Sequence, residues 1–534
     1  MSEDTADRAM IWGDRRKRVM RRMHLNGIVV VLAGFATAAG TGCLKRSEGC
    51  LDALLCDFGE AGGGGGGSTP QECVPSKSSE AVNDGCGVFV AASGDDAAAG
   101  TKAAPVKTIQ QAVARAQQEG AARRVYACAE TFEGQVELPG GVTLFGGLDC
   151  STDWRWLGET KTILTAPEGE IPLVMRGGDG AVRVEDVHVA ARAIDPSNEA
   201  APGASSIAAL AESIAVEMAR CTLEAGDAAD GRDGEPYKEP AHAGEQGNPG
   251  REACSGEIVV PGGVKRNECG TPDYPSDDST GGLGGIGTLA EGGAGSPGGP
   301  EGAGGLGGAG ERTQECTAGT AGDDGLPGEP GPNATGLGTL SSSGYAGLSG
   351  TAGSPGTTAQ GGGGGGGAKG GSAANQCTPE SAGGASGGSG GPGGCGGKGG
   401  NPGGPGGASI ALVSLDAELT FDDVLLKTGR GGRGGNGGPG QEGGSGGLGG
   451  PGGTVPAGIE GLQPGCSGGP GGKGGNGGNG GGGLGGHSLG IAYRGKPPPS
   501  RGFSVETGEA GPGGTGAGDG GAAGLRADTQ EFAP

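Results

Sequence analysis

The sequence is poor in the residue types that build large cores and metal centres. Its 534 residues include only 3 Trp, 5 Tyr, 8 Phe and 4 His. Because so few aromatic side chains leave little apolar surface to bury, we expect only about 200 residues to contribute to a core. The scarcity of His and the absence of any CxxC pair exclude a zinc site of ordinary Cys and His spacing.

Positive charge and long apolar runs are also scarce. The chain has 37 basic against 61 acidic residues and a formal net charge of −24. This balance argues against nucleic acid as a partner and against anionic membrane surfaces. The longest apolar run, Ile28–Ala39, has 12 residues and is too short to cross a bilayer comfortably. We therefore expect membrane contact only through an N-terminal anchor.

Motifs for phosphate, dinucleotide or nucleophile chemistry are missing as well. No glycine-rich stretch stands between a strand pattern and a helix pattern, so phosphate binding is not supported. We expect no cofactor, no metal and no catalytic residue.

Glycine and proline are abundant instead, with 137 Gly and 34 Pro. Three stretches repeat GGX with little interruption: Gly383–Gly407, Gly431–Gly453 and Gly468–Gly486. A period of three suits polyproline-II helices, whose bare glycine faces can pack side by side. A flexible coil is the alternative, because ordering glycine costs roughly 1–2 kcal/mol per residue. The sequence leaves both alternatives open.

The 14 cysteines favour disulfides in an oxidising compartment over scattered free thiols. Six of them, from Cys254 to Cys466, lie inside the glycine-rich inserts 227–407 and 430–487, where cross-links would pin otherwise loose chain. The connectivity does not follow from the sequence. The candidate disulfide cysteines are Cys50, Cys56, Cys73, Cys86, Cys128, Cys150, Cys254, Cys269, Cys316, Cys377, Cys395 and Cys466.

Residues 1–42 have the pattern of an export signal, with a basic cluster between Arg15 and Arg22 ahead of the apolar run. The following Gly-Thr-Gly-Cys resembles a bacterial lipobox and makes Cys43 a candidate for lipid attachment, although Gly40 stands where Leu is usual. An ordinary cleavage site at Ala36-Thr37-Ala38 and an uncleaved anchor are the alternatives. We expect residues 43–84 to form a glycine-rich tether.

A short apolar pattern recurs along the chain. Residues 206–226, 409–429 and 488–508 each run from Ser to Gly over the same spacing, and Pro172–Arg192 aligns with them without gaps. Val184, Met218 and Phe421 coincide, and so do four other apolar residues: Val189, Leu223, Leu426 and Val505. We interpret each copy as one coil of a solenoid. The alternative is that glycine-rich linkers separate short apolar segments that are unrelated to one another.

A resemblance supports this interpretation. The stretch from Gly85 to about Glu159, with SGDDAAAGTKAAPVKTIQQAV, RVYACAE and GVTLFGG, resembles the entry of pectin-lyase-like right-handed parallel β-helices. It implies an all-β fold in which a helix covers the N-terminal end. The residues themselves predict that helix, with Thr108 as its cap and Gly120 as its end. The glycine tracts resemble PGRS-type surface proteins in composition alone.

The extra residues begin at the same point after each coil, so we expect glycine-rich loops that leave one corner of the solenoid. The expected division of the folded chain is as follows: a β-helix with capping helix (85–226), an insert (227–407), a coil (408–429), an insert (430–487), a coil (488–508) and a glycine-rich tail (509–534).

The sequence therefore predicts a secreted or lipid-anchored surface protein, structural or adhesive and without catalysis. Its partners would be cell-envelope or extracellular polysaccharide, or other surface proteins. The alternative is a carbohydrate-binding or polysaccharide-degrading protein (a lyase or hydrolase). Its candidate carboxylates are Asp186, Asp422 and Asp423, which lie in the third strand of the aligned coils. Asp186 aligns with Asp423, and Arg220 takes the same place in the copy between them.

Overall fold

A computed structural model of the chain describes residues 73–78, 80–195, 201–270, 277–516 and 518–533. All of them belong to one compact unit, Gly67–Pro534. The predicted export signal (1–42), Cys43, Cys50, Cys56 and most of the tether lie outside the described residues.

Strands dominate the regular structure of the described residues, which contain a single α-helix, α1 (Ile109–Ala116). Short 3-10 helices cover Pro75–Lys77, Asp84–Cys86 and Pro379–Ser381. In chain order the strands are β1 (Val88–Val90), β2 (Arg124–Cys128), β3 (Thr131–Glu133), β4 (Val136–Gly140), β5 (Thr143–Asp149), β6 (Arg155–Trp156), β7 (Thr162–Thr165), β8 (Leu173–Gly178), β9 (Ala181–Glu185), β10 (Val187–Ala190), β11 (Ser206–Glu212), β12 (Ala215–Ala219), β13 (Thr222–Ala225), β14 (Ile258–Val259), β15 (Arg266–Asn267), β16 (Ser279–Thr280), β17 (Gly287–Thr288), β18 (Thr339–Ser341), β19 (Gly344–Ala346), β20 (Ser409–Leu415), β21 (Glu418–Asp422), β22 (Val424–Thr428), β23 (Ser488–Arg494), β24 (Phe503–Glu506) and β25 (Arg526–Glu531).

Three sheets with parallel main ladders carry the fold. Their orders are β1-β2-β5-β9-β12-β21, β3-β7-β10-β13-β22-β24 and β4-β8-β11-β20-β23-β25, and the short β6 adds to β5 in antiparallel orientation. From β2 to β23, apart from β6, the strands of these three sheets visit them in rotation, so one pass forms a coil. Because each strand pairs with strands of the coils before and after it, a coil satisfies its backbone groups only through its neighbours.

The interior of the coils is apolar because the aligned apolar residues of successive copies stack on one another. Val184 pairs in register with Met218, which pairs with Phe421, and all three are buried. The row formed by Val189, Leu223, Leu426 and Val505 is also in register. Alternate side chains of each strand enter the core, so equal spacing along the sequence becomes vertical stacking. The predicted superposition of the coils is confirmed for these strands.

One part of the alignment is wrong. Leu173 pairs with Ala209, an offset of 36, whereas Ala181 pairs with Ala215, an offset of 34. The turn Gly177–Gly180 takes up the two extra residues, and its three glycines have positive φ angles between 68° and 91°. Since two residues are one full side-chain period of a strand, the same face of β8 still enters the core.

Helix α1 covers one end of the stack. The Thr108 hydroxyl accepts the N–H of Gln111 at 3.3 Å, as predicted for a cap, and the four apolar residues of one face are buried. The helix packs on β1, β2 and β4. It ends at Ala116 and Gln117 rather than at Gly120.

Residues at both margins of the stack contribute more order than the composition suggested. In the expected tether, Cys73 and Val82 are buried against Tyr126. In the expected glycine-rich tail, β25 pairs with β23 and Phe532 is buried. Neither segment has a clear strand period, so its order depends on the neighbour that it covers.

Candidate functional site

Ten glycine segments can be distinguished among the described residues outside the coils, and they are named here by their order. They are segment 1 (228–253), segment 2 (281–289), segment 3 (292–299), segment 4 (303–311), segment 5 (317–334), segment 6 (348–368), segment 7 (385–407), segment 8 (430–454), segment 9 (465–486) and segment 10 (509–515). Together they make up the glycine bundle.

The inserts leave the coils at one place. The Ser409 hydroxyl donates to the Gly226 carbonyl at 2.8 Å, and the Ser488 hydroxyl donates to the Gly429 carbonyl at 3.0 Å. A Cβ on Gly508 would overlap the carbonyl of Gly429. The three departure points are therefore stacked, as the equal spacing of the coils predicted.

Hydrogen bonds between neighbouring segments recur every third residue. The N–H groups of Gly244, Gly247 and Gly250 in segment 1 donate to carbonyls of segment 8, at 2.8–2.9 Å. Gly325 and Gly328 in segment 5 donate in the same way to segment 9. The recurring bonds link different segments instead of closing turns within one. A period of three without internal hydrogen bonds is typical of polyproline-II helices.

Segment 6 is enclosed along its run of seven glycines, Gly361–Gly367. Its consecutive N–H groups donate in turn to segments 3, 7 and 5, at 2.8–3.0 Å. Its carbonyls from Gly362 onward accept in turn from segments 2, 9 and 4. Six neighbours therefore surround this run, and dense hydrogen bonding offsets the entropy lost by ordering glycine.

Close packing explains why every residue of this run is glycine. A Cβ on Gly362, Gly363 or Gly364 would overlap the carbonyl oxygen of Gly469, Leu306 or Leu283, respectively. These three carbonyls belong to three different segments. Because a three-residue helix presents one residue to each of three faces, a run without any side chain marks a helix covered on all faces.

Segments with fewer glycines have fewer covered faces. In segment 8, a Cβ on Gly434 or Gly435 would overlap a neighbouring backbone, whereas the Arg433 side chain points outward. Segment 5 has one glycine in three, and its other residues are mostly exposed. The count of glycines per turn therefore reports how deeply a segment lies in the bundle.

Polar side chains complete the hydrogen bonding of outward-facing amides. Asp230 accepts the N–H of Arg433 at 2.7 Å, and Asp324 accepts the N–H of Lys473 at 2.7 Å. Thr357 accepts the N–H of Leu326 at 2.7 Å. Asn, Asp, Ser and Thr are short acceptors that reach an adjacent backbone, which accounts for their frequency between the glycines.

Acidic side chains of segment 1 form ion pairs with a basic side chain of segment 8. Arg433 lies 3.1 Å from Asp233 and 3.8 Å from Asp230. Partial burial opposes ionisation of Asp233, but hydrogen bonds from Asn436 and Arg433 outweigh burial and hold its pKa below the ordinary value. Ion pairing therefore reinforces the backbone contact between these two segments.

Three disulfides cross-link the bundle: Cys254–Cys377, Cys269–Cys395 and Cys316–Cys466, over sequence separations of 123, 126 and 150 residues. Cys73–Cys86 and Cys128–Cys150 lie beside the first coils. By the chain-entropy model each long-range bond contributes about 5 kcal/mol. Among the described cysteines only Cys221 is free, and burial raises the pKa of its thiol to about 12.

The candidate carboxylate Asp186 is brought together with Arg220. The guanidinium donates to both Asp186 oxygens at 2.8 Å and to Glu185 at 2.7 Å, and its carbon lies 5.6 Å from the centre of the Trp156 ring. Hydrogen bonding to Asp186 raises the pKa of Arg220 despite its partial burial. Asp186 is 2% exposed, so its charge is balanced inside the fold.

Asp422 and Asp423 do not join this cluster and are exposed. Asp186, Arg220 and Asp423 occupy equivalent turns, with positive φ angles of 58°, 51° and 55°. Asp tolerates this conformation, and Arg220 holds it at a cost of roughly 1 kcal/mol. The sequence showed Arg220 between the two aspartates, but Glu185 and Trp156 were missed because their approach depends on the packing of coils.

The described residues contain no group of three His, Cys, Asp or Glu placed to hold a metal ion. No helix among them has the length and apolar character needed to cross a bilayer.

Comparison of the chain with models of protein families, curated protein sequences and solved structures gave no match.

Proposed function

We propose that the chain is a non-catalytic, secreted or lipid-anchored cell-surface protein with a structural or adhesive role. Its coils would be a right-handed parallel β-helix of the pectin-lyase-like type, and its glycine segments would be polyproline-II helices. The β-helix is the scaffold, and the glycine bundle is the part displayed to partners.

The enclosure of Gly361–Gly367 by six neighbours is the observation that carries the proposal. A bundle organised around such a segment holds its outward side chains at fixed positions. Stacked attachment at Gly226, Gly429 and Gly508 ties the bundle to the scaffold. An ordered surface of this kind suits repeated contact with polysaccharide or with other surface proteins.

The disulfides support an extracellular address, because bonds of this kind persist in oxidising compartments. Export through residues 1–42 and lipid attachment at Cys43 remain predictions. Absence of catalysis is supported by Asp186, whose carboxylate is saturated by Arg220 inside the fold. A polysaccharide-degrading protein that used Asp186 would need that carboxylate open to a sugar.

The proposal is tested by locating and probing the full chain. Protease treatment of intact cells should remove the protein, and the Cys43→Ala variant should be released into the medium if lipidation anchors it. Purified oxidised protein should bind envelope polysaccharide or cell surfaces without altering the polysaccharide chain length. Retention in the cytoplasm with reduced cysteines would refute the address, and shortening of the polysaccharide would refute the absence of catalysis.

A further inference from the structure

Segment 5 contains a proline motif, Leu326–Pro330, that scaffolding does not explain. The sequence Leu-Pro-Gly-Glu-Pro repeats a residue-proline pair three positions apart. Because a polyproline-II helix has three residues per turn, both pairs fall on one side and the intervening glycine on the other.

The orientation of the motif follows from its packing. Leu326 is 70% exposed, and Pro327, Glu329 and Pro330 are exposed too. A Cβ on Gly328 would overlap the carbonyl oxygen of Ser354, so the glycine faces segment 6. The two residue-proline pairs therefore point to solvent.

The backbone of the motif is fixed by segments 6 and 9. Gly325 and Gly328 donate to segment 9 at 2.8 Å, and the carbonyls of Leu326 and Glu329 accept from segment 6 at 2.9 Å. Among hydrogen bonds of the described residues, none uses the carbonyls of Pro327 and Pro330. These two acceptors remain available to a partner.

We infer that Leu326–Pro330 is a preorganised docking ligand for a protein with an aromatic-lined groove that recognises polyproline-II helices. Such grooves bind two residue-proline pairs on one face of the ligand and exploit the low entropy of a preformed helix. Asp324 and Glu329 add negative charge beside the prolines, so the groove of the partner has basic residues at its rim.

A second proline pair shows the contrast. Pro402 and Pro405 in segment 7 have the same spacing, but Gly404 precedes the second proline. Pro405 is half-buried, and a Cβ on Gly347 would contact its side chain. This pair does not present two outward dipeptides, although its residues follow the same proline spacing.

Binding is measured with the full oxidised chain and a panel of purified SH3, WW and EVH1 domains. At least one domain should bind, and Pro327→Ala/Pro330→Ala should bind it about tenfold more weakly. The matched control Pro451→Ala/Pro470→Ala, which alters exposed lone prolines of segments 8 and 9, should bind like the unmodified chain. Circular dichroism of each variant should show an unchanged fold.

A free peptide of residues 321–334 provides a second measurement. It should bind the same domain about threefold or more weakly than the full chain, because it is not held in the bound shape. Binding of the peptide without binding of the full chain would overturn the inference. It would also be overturned if no domain of the panel bound the full chain, or if the control variant lost as much affinity as Pro327→Ala/Pro330→Ala. The inference deepens the proposed display role, but the assay is independent of where the protein resides, so either can fail alone.

Discussion

The hydroxyl of Ser409 lies 2.8 Å from the carbonyl oxygen of Gly226, although the two residues are 183 positions apart in the chain. Gly226 is the last residue before the longest insert, and Ser409 begins the strand that follows it. Both ends of the insert are therefore tied together at the scaffold, which limits the conformations of everything between them.

Substitution of Gly364 by Ala should destabilise the bundle. The added Cβ would overlap the Leu283 carbonyl, and the covered faces leave no room for it. We expect a loss of about 3 kcal/mol or more in the free energy of unfolding. Gly263→Ala is the control, since a Cβ there meets nothing within 4 Å. Chemical denaturation followed by circular dichroism measures both, and equal stability of the two variants would contradict the enclosure of segment 6.

Removal of the disulfide Cys316–Cys466 should cost more stability than removal of Cys73–Cys86. The first closes a separation of 150 residues and the second one of 13. The chain-entropy model gives about 5 and about 3 kcal/mol, respectively. Thermal unfolding of the paired Ser variants tests this order, and a lower melting temperature for the Cys73→Ser/Cys86→Ser variant would reverse it.

Asp186→Asn should destabilise the coils by about 3 kcal/mol, because Arg220 would lose one of its two carboxylate partners in a partly buried site and keep only Glu185. The matched control is Asp423→Asn, at an equivalent turn with a similar positive φ but an exposed side chain. We expect the control to change stability by no more than about 0.5 kcal/mol. Urea denaturation of the two variants decides, and a neutral Asp186→Asn would refute the structural role of the ion pair.

Acid should weaken the glycine bundle. Hydrogen bonds from Lys473 and Lys265 lower the pKa values of Glu442 and Glu245, respectively. The pKa of Asp233 is also lowered, because its hydrogen bonds outweigh the effect of its burial. A lowered folded-state pKa stabilises fully above the ordinary values of 4.5 and 3.8, and this contribution disappears as the pH falls through the folded-state values.

We therefore expect the unfolding midpoint in urea to be constant just above pH 4.5 and to fall below it. The variant carrying Asp233→Asn, Glu245→Gln and Glu442→Gln should show a shallower fall over the same range. An unchanged slope in this variant would assign the acid sensitivity to other carboxylates.

Much of the scaffold was predictable because its information is local and repeated. The spacing of Val189, Leu223 and Leu426 in the sequence predicts that they occupy the same strand position. Their pairing in register then follows from the parallel stacking of the coils. The two-residue change in register between Leu173 and Ala181 shows the limit of prediction from the apolar pattern. A glycine turn can absorb two residues without moving any side chain to the wrong face, so the apolar pattern does not reveal it.

The sequence by itself determined the coils, the common departure point of the inserts and the period of three. It could not decide between an ordered bundle and a flexible coil, because glycine has no side chain to signal its neighbours. Tertiary structure decided that question at Gly361–Gly367, whose hydrogen-bond partners come from six separate segments. It also decided the pairing of the cysteines, since each long-range bond joins residues more than 120 positions apart. These contacts join residues that are far apart in the sequence, so they form, and can be identified, only in the folded chain.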